Sequence, residues 1–582
     1  MNRFWFLGIH SNDPKLETEP FAMKTKRLLF VVVLVAGLGL GFATGFWMPR
    51  DDDLFALRKN FEIFGATYEE LVTGYVDDLD ATKTMRTGLE AMLEDLDPYT
   101  VFFDEADNTD IDIITRGKYG GVGLNVQVRN GRITVSSPVE DASGYKQGVR
   151  AGDIITHVAG TPTDGLSLSD VRNLMRGEPN TTVEVILERA GEPEPLKFIL
   201  TRGEVTLKNV TYTAFVDDDT AAGIGYIKLE RFARGASREV RQAVETMQEA
   251  TTMRGLILDL RDNPGGLLEA AVEITQLFVP QGSLIVSTRG RTAQTERAYR
   301  SKTPPLAPDL PVVILVNEIT ASASEIVAGA IQDLDRGLIV GTSSFGKGLV
   351  QIVRPLPYNT SLKLTISRYY TPSGRSIQAI DYSEHDGDFE QIPDSLRRTF
   401  KTAAGREVQD GRGIEPDIAV SLGQVSELEQ ALRRRAAFFF FANQYAATHK
   451  DAVQPVQAEE VLVDLDLDAV LDEFQAWLAT EDFSYRTSAE RALDDLGDDL
   501  LAMGYDGASN EVAALRQAVN QEKAADFDRH APRLKEQLRA EIIARFVGRT
   551  EQIRTSLDHD LPYREAVALL QDPRAYRRAL ER

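Results

Sequence analysis

Two short segments of the chain carry the residue types that serine-based acyl transfer needs. Residues 320–325 read Thr-Ala-Ser-Ala-Ser-Glu and stand between an apolar run and a helix-like stretch, which predicts a serine on a turn into a helix. Residues 345–351 read Phe-Gly-Lys-Gly-Leu-Val-Gln and place Lys347 between glycines, with Gln351 four positions later. A serine nucleophile needs a base, and a desolvated lysine can supply it without histidine. The two segments indicate the chemistry of a serine–lysine peptidase.

Lys347 can act as a base only if the fold lowers its pKa. At the reference value of about 10.4, roughly 0.04% of a lysine is neutral at pH 7. A pKa near 7–8 requires a drop of about three units, which burial away from water can provide. We therefore expect a buried Lys347 beside Ser322, with Gln351 on the same side of the following strand to hold the amine. The alternative is structural: Ser322 caps a helix and Lys347 belongs to an ordinary loop.

Two other kinds of site compete for these residues. Residues 341–347 fit the first seven positions of a phosphate-binding loop, but Gly348 replaces the magnesium-binding serine or threonine and a strand-like pattern follows. A Ser–His–Asp triad assembled by folding stays open. Of the six histidines, only His385 lies in the region of alternating strands and helices, in an acidic, turn-rich segment. No histidine pair has metal-ligand spacing, and we expect neither a metal nor any other cofactor.

An oxyanion site is predicted where residues 263–266, Asn-Pro-Gly-Gly, follow a strand and open a helix. Free backbone amides of Gly265 or Gly266, together with the amide of Ala323, can stabilise the negative charge of a tetrahedral intermediate. The alternative is an ordinary strand–helix turn, which glycines serve equally well.

Length and charge narrow the class of protein. A chain of 582 residues with 43% hydrophobic residues predicts several globular domains. The formal charge of −24 argues against nucleic acid as a partner, because phosphate binding needs a basic face. The absence of cysteine excludes thiol catalysis, disulfides and thiolate metal sites.

The N-terminal region predicts a membrane anchor. Lys24, Lys26 and Arg27 precede an almost uninterrupted apolar stretch, residues 28–48, which is long enough to cross a bilayer. A basic flank stays cytoplasmic. We therefore expect a single-pass anchor in residues 23–50, with the catalytic part outside the cytoplasm, in the periplasm. A cleaved signal sequence, which would make the protein secreted, is the alternative. Residues 1–22 are expected to be disordered.

The rest of the chain divides by its apolar periodicity into four parts. Residues 51–106 show helical spacing, and residues 107–203 show alternating strand patterns, with Asn130-Gly131 as a hairpin signal. In residues 204–422 strand-like runs alternate with helices, as in an α/β layer. Residues 423–582 are largely helical and acidic, and the four phenylalanines at 438–441 predict a buried packing ridge.

These motifs closely resemble those of the C-terminal processing peptidases, or tail-specific proteases, of the serine–lysine type. The resemblance spans about residues 55–422. Its ordered motifs are residues 96–99 (Leu-Asp-Pro-Tyr), 120–124, 259–266, 321–325, 345–348 and 370–375. In that family the nucleophile lies 25 positions before the catalytic lysine, and here this spacing selects Ser322 rather than Ser324 against Lys347, with Gln351 in support.

The resemblance also implies an architecture and a substrate. It identifies residues 107–203 as a PDZ domain inserted beside a crotonase-like α/β protease core, with an N-terminal helical segment and a mostly α-helical C-terminal extension. A glycine loop in the PDZ domain would bind the C-terminal carboxylate of a protein with an apolar tail. The residues that the resemblance assigns to this binding are Gly120, Gly121, Val122, Gly123, Leu124 and Arg176.

Two functions from different classes remain in view. The favoured one is a serine-type endopeptidase that recognises protein C-termini and cleaves near them. The alternative is a catalytically silent PDZ scaffold that only binds such termini. For residues 423–582 the sequence leaves several roles open, among them assembly into a homo-oligomer and binding of an adaptor.

Overall fold

The computed structural model describes residues 51–104, 117–382, 390–421, 423, 425–449, 453–457, 460–463 and 465–581. The chain divides into two compact units, residues 1–89 and residues 90–582. In the described part of the first unit lie the helix Asp51–Gly74 and most of the helix Ala81–Glu94. All elements discussed below belong to the second unit.

The predicted membrane anchor and periplasmic location need correction. Across the residues that the structure describes, no helix combines the length and the apolar character that crossing a bilayer requires. The stretch for which the anchor was predicted, residues 23–50, lies outside the described residues, as do residues 1–22.

A mixed sheet forms the centre of the second unit, and we call it the core sheet. Its strands are parallel except for the first, and they lie in the order Val210–Phe215, Ile224–Leu229, Gly255–Asp259, Val312–Val316, Leu338–Gly341 and Ile418–Ala419. Continuous apolar runs such as Val312–Val316 are typical of strands covered on both faces, and every residue of this strand is buried.

Helices cover both faces of the core sheet. One hydrophobic cluster joins it to the helices Ala236–Ala250, Leu268–Thr275 and Ala323–Asp333. A second cluster joins its other face to the last helices of the chain, Arg549–Leu557, Leu561–Gln571 and Pro573–Leu580.

A second sheet positions the lysine segment. Its longest strand, Ser361–Tyr370, pairs with Val101–Phe103, with Leu284–Gly290 and with Leu349–Pro355, and Leu284–Gly290 also pairs with Arg297–Arg300. The short elements around the two sheets are Val216–Asp218, Thr220–Ala222, Ala293–Thr295, Ile380–Asp381, Glu390–Gln391, Asp394–Leu396, Thr399–Lys401 and Glu407–Gln409.

The unit predicted as a PDZ domain has its own sheet and its own core. Its strands and helices are Leu124–Arg129, Arg132–Pro138, Ser143–Lys146, Ile154–Val158, Thr161–Pro162, Leu168–Met175, Thr182–Glu188 and Leu196–Thr201. Asn130 and Gly131 form the predicted two-residue hairpin turn, both with positive φ. The strand Lys118–Gly121 pairs with Gly203–Thr206, so the chain enters and leaves the unit through neighbouring strands.

In its described residues, the C-terminal region is helical apart from one hairpin. Its elements before the last three helices are Glu427–Arg434, Ala437–Thr448, Val453–Gln457, Glu460–Val463, Leu467–Thr480, Ser488–Ala502, Asp506–Ala508, Ser509–Ala524 and Asp526–Ile543. Phe438, Phe439 and Phe441 are buried, and the ring of Phe438 stacks on Phe474 at 5.3 Å. The phenylalanine run is therefore a packing ridge, as predicted.

Candidate active site

Ser322 lies on a strained turn between a strand and a helix of the core. The strand Val312–Val316 ends six residues before it, and Ser322 is the N-cap of the helix Ala323–Asp333. Its φ of 56° and ψ of −112° are rare for a residue with a side chain, and such a conformation costs on the order of 1–3 kcal/mol unless the surroundings hold it. Thr320 helps to fix the turn in this conformation, because its hydroxyl donates to the carbonyl oxygen of Leu260 at 2.9 Å.

A buried carboxylate joins the serine turn to the lysine segment. Glu325 accepts hydrogen bonds from the backbone amides of Ser322 at 2.7 Å, Gly346 at 2.7 Å and Lys347 at 2.9 Å. It also accepts the hydroxyl of Ser344 at 2.6 Å. Burial raises the pKa of Glu325 to about 7, although all four hydrogen bonds act in the opposite direction. One side chain thus sets the distance between the two backbones that carry the predicted dyad.

Lys347 is half-buried, and its environment favours the neutral amine. Desolvation, followed by the positive charge of Lys363, lowers its pKa to about 8, against the smaller opposing effects of Asp97 and Glu325. The amine lies 3.8 Å from the ring centre of Tyr99. Within the residues described, no hydrogen bond joins it to the hydroxyl of Ser322. The structure therefore has the expected lowered pKa without the direct contact.

Gln351 lies in the strand that follows the lysine, but it does not hold the amine in this arrangement. Its side-chain amide donates to the hydroxyl of Thr365 at 3.2 Å. The hydroxyl of Thr100 in turn contacts Thr365 at 3.3 Å. The hydroxyl of Tyr369, on the same strand as Thr365, donates to the carbonyl oxygen of Ser322 at 3.0 Å.

The glycine turn, residues 262–266, approaches the serine turn closely. Asp262 donates its amide to the side-chain oxygen of Asn317 at 3.0 Å, and Asn317 donates back to the carboxylate of Asp262 at 2.8 Å. A Cβ at Gly265 would lie 2.7 Å from the carbonyl oxygen of Ala321 and 2.9 Å from the amide nitrogen of Ala323. Only glycine permits this approach at the φ of 101° found there.

The amides of the glycine turn are not equally available. Gly265 donates its amide to the side-chain oxygen of Asn263 at 2.9 Å. The amides of Gly266 and Ala323 donate no hydrogen bond to any residue that the structure describes. Two of the three predicted donors, Gly266 and Ala323, thus have no hydrogen-bond acceptor among the described residues.

The glycine loop of the PDZ unit borders a cavity of about 310 Å³. Gly120 and Gly121 end a strand, and the cavity is lined by residues 121–124 together with Arg176. Gly123 has a φ of 72°, and a Cβ there would lie 2.1 Å from that of Ala142. Arg176 caps the helix Leu168–Met175 and lies 6.0 Å from the ring centre of Tyr119.

The competing kinds of site find little support. The lysine segment runs directly into the strand Leu349–Pro355, so it lacks the helix N-terminus that a phosphate-binding loop requires. Among the described residues, no three His, Cys, Asp or Glu side chains are grouped as metal ligands. His385, the candidate for a triad, lies in residues 383–389, outside the described part.

Sequence reasoning missed the roles of Glu325, Tyr369 and Tyr99 at this site. Glu325 and Tyr99 stand in motifs that the sequence did single out, residues 321–325 and 96–99, but a motif does not say which backbone groups a side chain will reach. Tyr369 directly precedes another motif, residues 370–375. Its contact with Ser322 spans 47 positions and depends on the pairing of the second sheet.

Models of three known families match separate parts of the chain. A model described as "Peptidase family S41" matches residues 223–385, one described as "PDZ domain" matches residues 134–189, and one described as "Probable PDZ-protease, C-terminal helical domain" matches residues 428–570. The fold and the site thus define a peptidase that carries a PDZ domain and a helical C-terminal region.

Individual relatives give the family its name. The chain is 38% identical over 325 residues to the carboxy-terminal-processing protease of Bartonella bacilliformis, covering 55% of this chain and 73% of that protein. It is 35% identical over 298 residues to the carboxyl-terminal-processing protease of Synechocystis, covering 50% and 68%. A solved photosystem II D1 C-terminal processing protease shares 30% identity over 62% of this chain and 88% of its own, with a TM-score of 0.37. The chain belongs to the carboxy-terminal-processing proteases of peptidase family S41.

Proposed function

We propose that the protein is a serine-type endopeptidase in which Ser322 and Lys347 form the catalytic dyad. Neutral Lys347 takes the proton of the Ser322 hydroxyl as the serine oxygen attacks a peptide carbonyl, and gives that proton to the amine that leaves when the C–N bond breaks. Lys347 then takes a proton from the water that attacks the resulting ester and returns it to the Ser322 oxygen as the acid product leaves. The amides of Gly266 and Ala323 bind the oxyanion. Gln351 and Thr365 align the strand beside the lysine.

The observation that carries the proposal is the lowered pKa of Lys347 on a loop tied to the serine turn. At a pKa of about 8, about a tenth of the amine is neutral at pH 7, against roughly 0.04% at the reference value. Glu325 bonds the amides of both Ser322 and Lys347, so a modest swing of a flexible lysine side chain can bring its amine to the hydroxyl. Family membership favours this use of the site.

Substrate recognition is proposed to lie in the PDZ domain, assigned to residues 107–203. The amides of Val122 and Gly123 donate no hydrogen bond to the described residues and border the cavity beside Arg176. These groups suit a chain-terminal carboxylate with an apolar last side chain. The protease core, residues 204–422, is proposed to be crotonase-like, and residues 423–582 to form the helical extension.

The dyad is tested by Ser322→Ala and Lys347→Ala, each assayed on an unstructured polypeptide with an apolar C-terminus. Both variants should lower kcat/KM by about 10⁴-fold or more, because removing one member of a catalytic unit costs about as much activity as removing all of them. Ser343→Ala and Lys401→Ala, which change exposed residues, should cleave as the unaltered protein does. Turnover retained by either dyad variant would refute the mechanism.

The scaffold alternative predicts another result in the same assay. The unaltered protein would bind the tailed polypeptide but leave it intact, and Ser322→Ala would not differ from it. Amidating the C-terminus of the polypeptide separates the two parts of the proposal, because it weakens recognition by the PDZ domain without touching the dyad.

A further inference from the structure

In this structure the amine of Lys347 lies over an aromatic ring and makes no hydrogen bond to the hydroxyl of Ser322. Its Nζ is 3.8 Å from the centre of the Tyr99 ring, well within the limit of about 6 Å for a cation–π contact. The ring face attracts an ammonium group, whereas a neutral amine gains no comparable attraction. The contact therefore favours the protonated lysine, the form that cannot act as a base.

The Tyr99 ring is fixed in place from two sides. The carboxylate of Asp97 accepts the amides of Tyr99 and Thr100, each at 2.8 Å, and the hydroxyl of Thr100 at 2.9 Å, which closes a tight turn. The Tyr99 ring meets Tyr382 edge-on at 6.0 Å, and their hydroxyl oxygens are 3.4 Å apart. The turn is also tied to the second sheet, because Thr365 donates its amide to Thr100 at 3.2 Å. A fixed ring gives the lysine amine a defined resting position.

We propose that Tyr99 is a positioning residue that holds the protonated Lys347 amine away from Ser322 in the resting enzyme and so sets the pH at which the base becomes available. The inference rests on the proposed function of the dyad. On losing its proton the amine loses its attraction to the ring, and its flexible stem can turn toward the serine.

Other groups around Lys347 also shift the balance between its neutral and its protonated form. Burial and Lys363, on the strand Ser361–Tyr370, favour the neutral amine, whereas Asp97 and Glu325 favour the ammonium form. Burial and the contact with Tyr382 raise the pKa of Tyr99 itself, so the ring stays neutral where Lys347 titrates. The Tyr99 ring, like Asp97 and Glu325, favours the protonated form of Lys347. A substitution of Tyr99 removes the contribution of the ring and leaves the two carboxylates in place.

The decisive experiment measures the proton affinity of Lys347 without turnover. In the full chain carrying Ser322→Ala, trace labelling with acetic anhydride across a pH series reports the neutral fraction of each lysine by mass spectrometry, with exposed Lys401 as internal standard. Tyr99→Leu removes the ring, Tyr99→Phe keeps its face without the hydroxyl, and Tyr99→Trp enlarges the face. Tyr358→Leu, at a side chain 87% exposed, controls for the loss of any tyrosine.

We expect the labelling midpoint of Lys347 to fall by about half to one pH unit in Tyr99→Leu, because a cation–π contact is worth that much proton affinity. It should stay in place in Tyr99→Phe and Tyr358→Leu and rise in Tyr99→Trp. In chains that keep Ser322, the acidic limb of kcat/KM should move with the midpoint. A midpoint that does not fall in Tyr99→Leu overturns the inference, and so does an equal fall in Tyr99→Phe.

Two further outcomes keep the result decisive. If Tyr99→Leu does not fold, the comparison of Tyr99→Trp with Tyr99→Phe decides, and an unchanged midpoint in Tyr99→Trp then rejects the inference. If the unaltered protein cleaves nothing while the midpoints move as expected, the proposed function fails and the role of Tyr99 in holding the lysine stands.

Discussion

Lys347 is a side chain that lowers the stability of the fold and, in the proposed dyad, serves the chemistry. The site that lowers its pKa to about 8 does so chiefly by removing water from the amine. Below pH 8 the lysine is protonated in both the folded and the unfolded chain, so the folded protein bears the full cost of a poorly hydrated ammonium group. Between pH 8 and the reference value the unfolded chain binds more protons, and stability therefore rises with pH.

Lys347→Met should accordingly stabilise the protein while removing its activity. At pH 7 we expect the free energy of unfolding to rise by about 1–3 kcal/mol, and the gain should shrink toward pH 10 as the unfolded lysine also loses its proton. Urea unfolding at both pH values measures the difference. Lys401→Met, at an exposed site, should show no such dependence. A destabilised Lys347→Met at pH 7 would contradict the assignment of a desolvated amine.

At the scale of elements, the site is a meeting of two turns and a loop at the ends of core strands. The glycine turn follows the strand Gly255–Asp259, and the serine turn follows Val312–Val316, its neighbour in the core sheet. Parallel neighbours end at the same edge of a sheet, which brings their turns together. The lysine loop, residues 342–348, follows Leu338–Gly341, the next parallel strand, and Glu325 bonds it to the serine turn.

The close approach of the two turns can be tested at Gly265. A Cβ there meets the backbone of residues 321–323, so Gly265→Ala should push the glycine turn away from Ser322. We expect kcat to fall by about 10²–10³-fold, the usual effect of losing one oxyanion donor, with little change in KM. Gly282→Ala is the matched control, because its φ of 89° is similar but nothing lies within 4 Å of the added Cβ. Equal losses in both variants would point to backbone strain alone.

For the whole molecule, the helical C-terminal region has a structural role that its sequence did not reveal. Its last helices cover one face of the core sheet, where Tyr576 both accepts from the amide and donates to the carbonyl of Val312, at 3.1 and 2.9 Å. Arg261, which lies three residues before Pro264 of the glycine turn, forms an ion pair with Asp560 of this region at 2.6 Å. The same region contacts the PDZ unit, where Asn443 donates to the carbonyl of Gly152 at 3.0 Å.

Ending the chain at residue 548 should therefore unfold the protease core rather than trim an accessory. The lost helices bury Ile553, Tyr563, Leu569 and Leu570, and each such side chain contributes about 1.5–3 kcal/mol, against a net stability of about 5–15 kcal/mol for a typical domain. Far-UV circular dichroism and soluble yield measure the outcome. A chain ended at residue 580 is the control. A folded, active chain ended at 548 would show that the sheet face does not need this cover.

The sequence by itself determined the family, because its serine, lysine and glycine motifs are local patterns, and the same motifs predict the Ser322–Lys347 dyad. It also determined the order of strands and helices, since apolar periodicity follows from the faces that must be buried. The predicted membrane anchor is not supported by any helix of the described residues. The sequence also predicted no role for the C-terminal helices, because the residues that they contact are far away along the chain.

Only the tertiary structure decided which groups surround each reacting atom. The contact of Lys347 with Tyr99 spans 248 positions. The hydrogen bond that the Gly265 amide donates to the side-chain oxygen of Asn263, with none donated by Gly266 to the described residues, depends on how one turn closes. The pKa of Lys347 follows from burial and from Lys363, Asp97 and Glu325, which come from three separate elements. Proton affinity depends on hydration and on charges a few ångströms away, and those distances exist only once the chain has folded.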